Sequence, residues 1–220
     1  MPTTDAQALA EQLLLGRYRV LETRGEGGFG TVYVCWDPRL MRRVAIKSIR
    51  LKPQARQGSL VEGVPDYLSD ARRSALLRAA LDETRTASML PHPNIVQMIE
   101  FDNDDEHAYI IMEYVEGASL AEDGLLTADE AAAVVEGVCD ALEFAHDNGV
   151  LHLDIKPDNI MVDMSGRVKL ADFGMATLSS MTGYSGARGG TVGYMPPEQA
   201  EGGEVDVRTD VFAFAAVMYE

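Results

Sequence analysis

Glycines set between two strands, and not between a strand and a helix, exclude one large class of folds at the outset. Gly25-Glu26-Gly27-Gly28-Phe29-Gly30 matches the spacing GxGxxG, which dinucleotide-binding folds also use. Those folds require a helix directly after the last glycine, its N-terminus on the pyrophosphate. Here Thr31-Val32-Tyr33-Val34-Cys35-Trp36 follows, β-branched and aromatic, and Tyr18-Arg19-Val20-Leu21 precedes, so strands flank the loop on both sides. A hairpin of this kind can fold over phosphates, because glycine N–H groups approach the oxygens with no Cβ in the way. A further strand, Arg43 to Ile49, follows the turn at Asp37-Pro38. Its alternation puts Ala45 and Lys47 on one face, where a lysine can neutralise phosphate charge.

The rest of the chain divides by period. Thr4 and Asp5 can cap a helix from Ala6 to Leu15, ended by Gly16. Leu51 to Ser69 carries Pro53, Gly58, Gly63 and Pro65 and reads as a connection. Helical spacing covers Asp70 to Leu90, stopped by Pro91-His92-Pro93. Ile95 to Phe101 and Ala108 to Val115 predict a hairpin around Asp102-Asn103-Asp104-Asp105. Beyond Gly117 the pattern is helical. Thr127-Ala128-Asp129-Glu130 is a capping box. The helix it opens carries Ala131, Val134, Val135, Val138, Ala141, Leu142 and Ala145 at 3–4 spacing, with Gly149 where a C-terminal cap belongs. Short strands flank the next loops, and Arg208 to Glu220 is an apolar helical segment. The order is a strand-rich lobe with one helix, then a helix-rich lobe.

Bulk properties exclude more than they identify. The 19 basic and 35 acidic residues leave a net charge of −16, which repels nucleic acid and anionic lipid and suits solubility or basic protein substrates. Cys35 and Cys139, far apart in sequence, form no metal or disulfide pattern and read as small buried hydrophobes in a reducing compartment. The first residues lack the basic region of a signal peptide, and no stretch approaches the roughly 20 apolar residues of a membrane span. The segment reads as cytoplasmic.

The strongest chemical signal lies in two loops. His152-Leu153-Asp154-Ile155-Lys156-Pro157-Asp158-Asn159 is followed by Asp172-Phe173-Gly174, each after a short apolar stretch. Magnesium takes oxygen ligands and bridges phosphates, so Asn159 and Asp172 are suitable donors. A second carboxylate, Asp154, can accept a hydroxyl proton while Lys156 offsets charge on a transferring phosphoryl group. Gly190-Thr191-Val192-Gly193-Tyr194-Met195-Pro196-Pro197-Glu198 completes the series.

With these motifs in order, the chain from Tyr18 to Glu220 resembles the protein kinases, and among them the bacterial Hanks-type serine/threonine kinases. The resemblance implies an α+β, two-lobed fold. After a helical extension over 1–17 comes an N-lobe and hinge at 18–115, an antiparallel five-stranded sheet with one main helix and an insertion at 51–69. A mostly helical, partial C-lobe follows at 116–220. It implies ATP and Mg2+ or Mn2+, and protein substrates bearing serine or threonine, self-phosphorylation included. By resemblance Asp154 is the catalytic base and Lys156 the phosphate-stabilising lysine. Asn159 and Asp172 hold the metal, and Lys47 contacts the α/β-phosphates and pairs with a helix acid, Glu83 ahead of the weaker choices Glu62 and Asp82. The glycine loop from Gly25 to Gly30 covers the phosphates. Met112, Glu113 and Val115 form the adenine hinge, with Val32, Ala45 and Met161 against the ring. Ala87, Met98, His152 and Phe173 stack as a spine anchored by Asp210, and His152 is a packing residue. Thr191 and Glu198 belong to the activation segment.

Three departures from the family pattern stand out. Leu153 occupies the place of the arginine that pairs with a phosphorylated loop, so Thr177, Ser179, Ser180, Thr182, Tyr184 and Ser185 are not expected to need phosphate. Leu51 to Ser69 is longer than usual and reads as a solvated spacer or a docking loop. The pattern also stops at Glu220, short of the helices that follow in the family. This predicts a C-terminally truncated catalytic domain with exposed apolar surface from Val211 to Tyr219 and an unpaired Glu198; relatives often carry a membrane anchor further on. An ATP-binding pseudokinase or inactive fragment is the alternative, although Lys47, Asp154 and Asp172 are all kept.

Overall fold

Alternating side chains make the first part of the chain a sheet with one core face. In the computed structural model, which describes residues 13–27, 30–51, 66–123, 126–173 and 193–220, the chain divides into two units. One combines the described residues up to Thr84 with Ile99–Tyr114, the other Arg85–Met98 with Val115–Glu220. In the first, strands β1 (Leu13–Leu14), β2 (Tyr18–Gly27), β3 (Gly30–Asp37), β4 (Arg42–Arg50), β5 (Met98–Asn103) and β6 (His107–Glu113) form a sheet in the order β1-β2-β3-β4-β6-β5. Tyr18, Val20, Cys35, Val44, Ile46, Tyr109 and Ile111 share a buried cluster, each apolar side chain contributing about 2 kcal/mol over exposure. Two register shifts in β2, between Val20 and Glu22 and between Thr23 and Gly25, bend that strand.

The helix expected to run to Leu15 is not what Leu13 and Leu14 form. They pair with Arg19 and Tyr18 as a strand and add a sixth strand to the expected five; Ala6 to Gln12 lie outside the described residues. Leu15 and Gly16, at φ 54° and 62°, are the centre of a turn closed by the Arg17 N–H donating to the Leu14 carbonyl at 3.1 Å. Two central residues with positive φ are what a primed hairpin turn requires. Arg17 then fastens the sheet. Its guanidinium donates to both Asp37 oxygens, at 3.2 and 2.7 Å, and to Glu100 at 2.8 Å, while Tyr18 Oη donates to the same Glu100 oxygen.

Helix α1 (Asp66–Ser88) begins four residues before the expected Asp70, so the end of the predicted connection is helical. The expected turn at Asp102–Asp105 closes later, because Asp104 Oδ1 accepts from the N–H groups of Glu106 and His107 at 2.8 and 2.7 Å.

The second unit contains β7 (Gly117–Ser119), α2 (Leu120–Asp123), α3 (Ala128–Asp147), a 3-10 turn (Pro157–Asn159), β8 (Ile160–Asp163), β9 (Val168–Leu170), α4 (Pro197–Ala200) and α5 (Val207–Tyr219). The sheet β7-β8-β9 includes Gly117–Ser119, which sequence reading made the start of the helical region. The capping box of α3 forms as expected: Thr127 Oγ1 accepts from Glu130 N–H, and Glu130 accepts from Thr127 N–H at 2.8 Å. Val134, Val138, Ala141, Leu142 and Ala145 are buried, whereas Val135 and Cys139 lie off that stripe and are exposed. Cys139 is therefore not the buried hydrophobe expected. Cys35 is, and burial pushes its thiol up to about 12.

No helix among the described residues is long and apolar enough to cross a membrane.

Candidate active site

In the first unit, strand pairing sets Val32 opposite Lys47, Lys47 opposite Ile110, and Ala45 opposite Met112. Paired residues share a face, and residues two apart along a strand share it too. Val32, Ala45, Lys47 and Met112 therefore line one side of the sheet, opposite the buried cluster of Val44 and Ile46. Lys47 is buried on that side. Glu113 pairs with Val44 and belongs to the other face.

Gly30 is fixed by packing: at φ 128°, a Cβ added there would lie 1.8 Å from the Ser48 carbonyl oxygen. Gly25 has open space around the same position. Glycine at 30 thus lets β3 lie against β4 beside Lys47, a reason separate from any phosphate. Gly27 continues β2 and pairs with Gly30. Gly28 and Phe29 lie outside the described residues, as do the side chains of Glu26, Glu83 and Ala87.

The second unit gathers Asp154, Lys156, Asn159 and Asp172. Lys156 Nζ donates to Asp154 Oδ2 at 2.9 Å, and Asn159 Nδ2 donates to the same oxygen at 3.1 Å and to the Asp154 carbonyl at 2.8 Å. Both side-chain donors sit on Oδ2, and among the described residues none donates to Oδ1. The Asp172 loop lies alongside, since Ala171 N–H donates to the Asn159 carbonyl at 2.8 Å.

His152 joins the two loops. Its Nδ1 accepts from Asp154 N–H at 3.2 Å, so the proton must be on Nε2, which donates to the Ala171 carbonyl at 2.9 Å. Burial holds this ring below its ordinary pKa, against the raising influence of Asp210, the Ala171 carbonyl, Asp154 and Asp172. The ring lies 4.6 Å from that of Phe173, and Met98 packs on the cluster that contains Phe173.

The base of the loop rests on α5. Asp210 is fully buried, and its Oδ1 accepts from Leu153 N–H and its Oδ2 from His152 N–H, both at 2.8 Å. His146 Nε2, 2.8 Å from Oδ2, must donate as well, because a carboxylate offers no proton. On the other side, Gln199 Nε2 donates to the Leu153 carbonyl at 2.7 Å. Neither His146 nor Gln199 was read from the sequence. His146 had a signal, one turn beyond Leu142 on the buried stripe of α3; Gln199 had none.

Glu198 was expected to be unpaired, yet Thr209 Oγ1 donates to it at 2.9 Å. Exposed apolar surface on α5 is present at Val211, Phe212 and Tyr219. Met161 is half-buried in β8 and Val115 is buried. Thr191, and the hydroxyl residues Thr177 to Ser185, lie outside the described residues.

Comparison with known proteins gives this arrangement its context. The protein kinase domain pattern matches residues 18–220. The chain belongs to the protein kinase family. Serine/threonine-protein kinase PrkC of Bacillus subtilis is 38% identical over 211 residues, covering 93% of this chain and 30% of that protein. Serine/threonine-protein kinase PknB of Mycobacterium leprae is 36% identical over 218 residues, covering 94% and 32%. The crystal structure of the Mycobacterium tuberculosis PknI kinase domain matches with a TM-score of 0.65 at 27% identity, over 92% of this chain and 70% of that one. The chain spans about a third of the length of these curated relatives. As a member of the protein kinase family it has the expected α+β fold, a curled antiparallel sheet followed by helices.

Proposed function

We propose that this chain is the catalytic part of a serine/threonine protein kinase, moving the γ-phosphoryl group of ATP to a protein hydroxyl. The observation that carries the reading is the orientation of Asp154: one oxygen is held by Lys156 and Asn159, and the other has no donor among the described residues. A carboxylate fixed in this way can accept the proton of a serine or threonine hydroxyl as its oxygen bonds to the γ-phosphorus. The bond from that phosphorus to the β-phosphate oxygen breaks, and ADP leaves. Lys156 places a positive charge where the transferring group gathers negative charge.

Protein kinases use a divalent cation with ATP, and the donors here suit one. With Nδ2 committed to Asp154, Asn159 has its carbonyl oxygen left for a cation, and Asp172 adds a carboxylate. One or two protein oxygens completed by phosphate and water is the usual Mg2+ set. Bound there, the ion would offset charge on the phosphates. Lys47, aided by Glu83, is assigned to the α/β-phosphates and the Gly25–Gly30 loop to covering them. The backbone of Glu113 and Val115 is assigned to adenine, with Met112 guarding the back of the pocket and Val32, Ala45 and Met161 against the ring. PrkC and PknB are named serine/threonine kinases, which favours that hydroxyl class here.

Leu153 makes the chain a kinase without the loop arginine, and its backbone is held by uncharged Gln199 and by Asp210. Radiolabel transfer from ATP with magnesium to a mixed protein substrate tests the proposal. Asp154→Asn should lower the rate by at least about a hundredfold. Binding of ATP without any transfer by the unmodified chain would instead make it a nucleotide-binding scaffold.

A further inference from the structure

We infer that Gln199 is a positioning residue for phosphoryl transfer, acting on Asp154 through the peptide plane that joins it to Leu153. The inference rests on the kinase reading above. Leu153 is a non-glycine residue at φ 62°, where Cβ crowds the following carbonyl oxygen, so a leucine does not stay there unaided. Its N–H is held by Asp210 at 2.8 Å and its carbonyl by Gln199 at 2.7 Å. That carbonyl shares a peptide plane with the Asp154 nitrogen, which donates to His152 Nδ1 at 3.2 Å. One plane is thus gripped at both ends, by Gln199 at oxygen and His152 at nitrogen. Its tilt sets the direction in which Asp154 leaves the backbone.

Gln199 is itself anchored. It lies on α4, where Thr209 Oγ1 donates to Glu198 at 2.9 Å and Gly203 N–H donates to the Glu198 carbonyl at 2.7 Å. The Pro-Pro-Glu end of the activation segment is therefore joined to the catalytic loop by a neutral amide. The amide reaches the backbone of the same residue whose side chain lacks the arginine charge. Placement of Asp154 through this link needs no phosphate.

Steady-state kinetics of the full chain test it, with Gln199→Met (similar length, no donor) and Gln199→Glu (same shape, acceptor only). Each should lower kcat about tenfold or more while KM for ATP holds, since a misplacement of around 1 Å is enough for such a loss. Glycine adopts positive φ without steric penalty, so in a Leu153→Gly background the Gln199→Met loss should shrink by at least about threefold. Equal losses in both backgrounds, or a lower melting temperature with kcat unchanged, would overturn the inference. If Asp154→Asn abolishes transfer and Gln199→Met does not, the inference alone fails. If Asp154→Asn transfers as well as the unmodified chain, the kinase reading fails and takes the inference with it.

Discussion

Replacing Asp210 by asparagine tests how the 152–159 loop is held. Side-chain volume hardly changes, so no cavity contributes. Among the described residues, every partner of this carboxylate is an N–H group: Leu153 on Oδ1, His152 and His146 on Oδ2. An amide keeps one acceptor oxygen, and in either orientation its NH2 faces an N–H. The better orientation keeps His152 and His146 and gives up Leu153. A hydrogen bond to a charged group contributes roughly 1.5–3 kcal/mol, and a stranded buried N–H costs roughly 1–3 kcal/mol. Because these overlap, the expected destabilisation is about 3 kcal/mol, roughly a hundredfold in the folding equilibrium.

Urea unfolding read by two probes gives the answer. Trp36, the only tryptophan, lies in β3 of the first unit, whereas α3 and α5 of the second carry more of a helical circular dichroism signal than the 66–84 part of α1 in the first. The dichroism transition should move to lower urea and the Trp36 transition should move less. A dichroism shift worth under ~0.5 kcal/mol, the range of an ordinary surface substitution, would refute the account of Asp210 as an acceptor of three hydrogen bonds.

Other outcomes follow from the same structure. Gly30→Ala places Cβ against the Ser48 carbonyl and should lower first-unit stability by about 3 kcal/mol or more, whereas Gly25→Ala should leave the Trp36 urea midpoint nearly unchanged. At Asp37, burial opposes ionisation, but the Arg17 hydrogen bond and the N–H groups of Arg39 and Leu40 outweigh it and hold the carboxyl below its usual range. Its contribution is therefore present above the unfolded carboxylate pKa, near ~4, and is lost as pH falls through the folded value. The gap in urea midpoint between the unmodified chain and Asp37→Asn should be full at neutral pH and close in acid; a constant gap would contradict the pairing. An aromatic disulfide reagent should modify one thiol in the native chain, the exposed Cys139, and reach Cys35 only after denaturation. Acidic substitutions across Thr177, Ser179, Ser180, Thr182 and Ser185 should leave the transfer rate within about tenfold; a rise of about a hundredfold would show that the loop needs its phosphate.

Local signals announced some elements without ambiguity and left others open. Helix α3 was legible at both ends, because a capping box and an apolar stripe of 3–4 spacing agree on it. Gly16 was legible only as a residue suited to positive φ. A helix C-terminus and a primed hairpin turn both ask for that conformation, and the pairing of Leu14 with Tyr18 decided between them. Asp154, Lys156, Asn159 and Asp172 were visible as a set because their residue types and spacing carry the chemistry. Of the residues that orient them, His152 and Asp210 entered only through the resemblance, and Gln199 did not enter at all. Gln199 and Leu153 are 46 positions apart, and Asp210 and His152 are 58 apart, so no local pattern could pair them.

Among the described residues, the four non-glycine residues with positive φ show where local preference was overruled. Leu15 and Met41, at 54° and 52°, sit in hairpin turns of the first unit, where chain reversal alone demands the conformation. Leu153 and Asp172, at 62° and 63°, occupy the two loops that carry the candidate chemistry. Aspartate tolerates the left-handed region, since its short polar side chain can bond locally. Leucine does not, and a strain of order 1–3 kcal/mol at a single residue persists only where surrounding contacts over-determine it. At Leu153 those contacts are the Asp210 and Gln199 hydrogen bonds. A residue whose own preference opposes its conformation cannot be read from a local pattern. At Leu153 the strain falls in a loop that carries the candidate chemistry, in a backbone direction that the chain would not choose by itself.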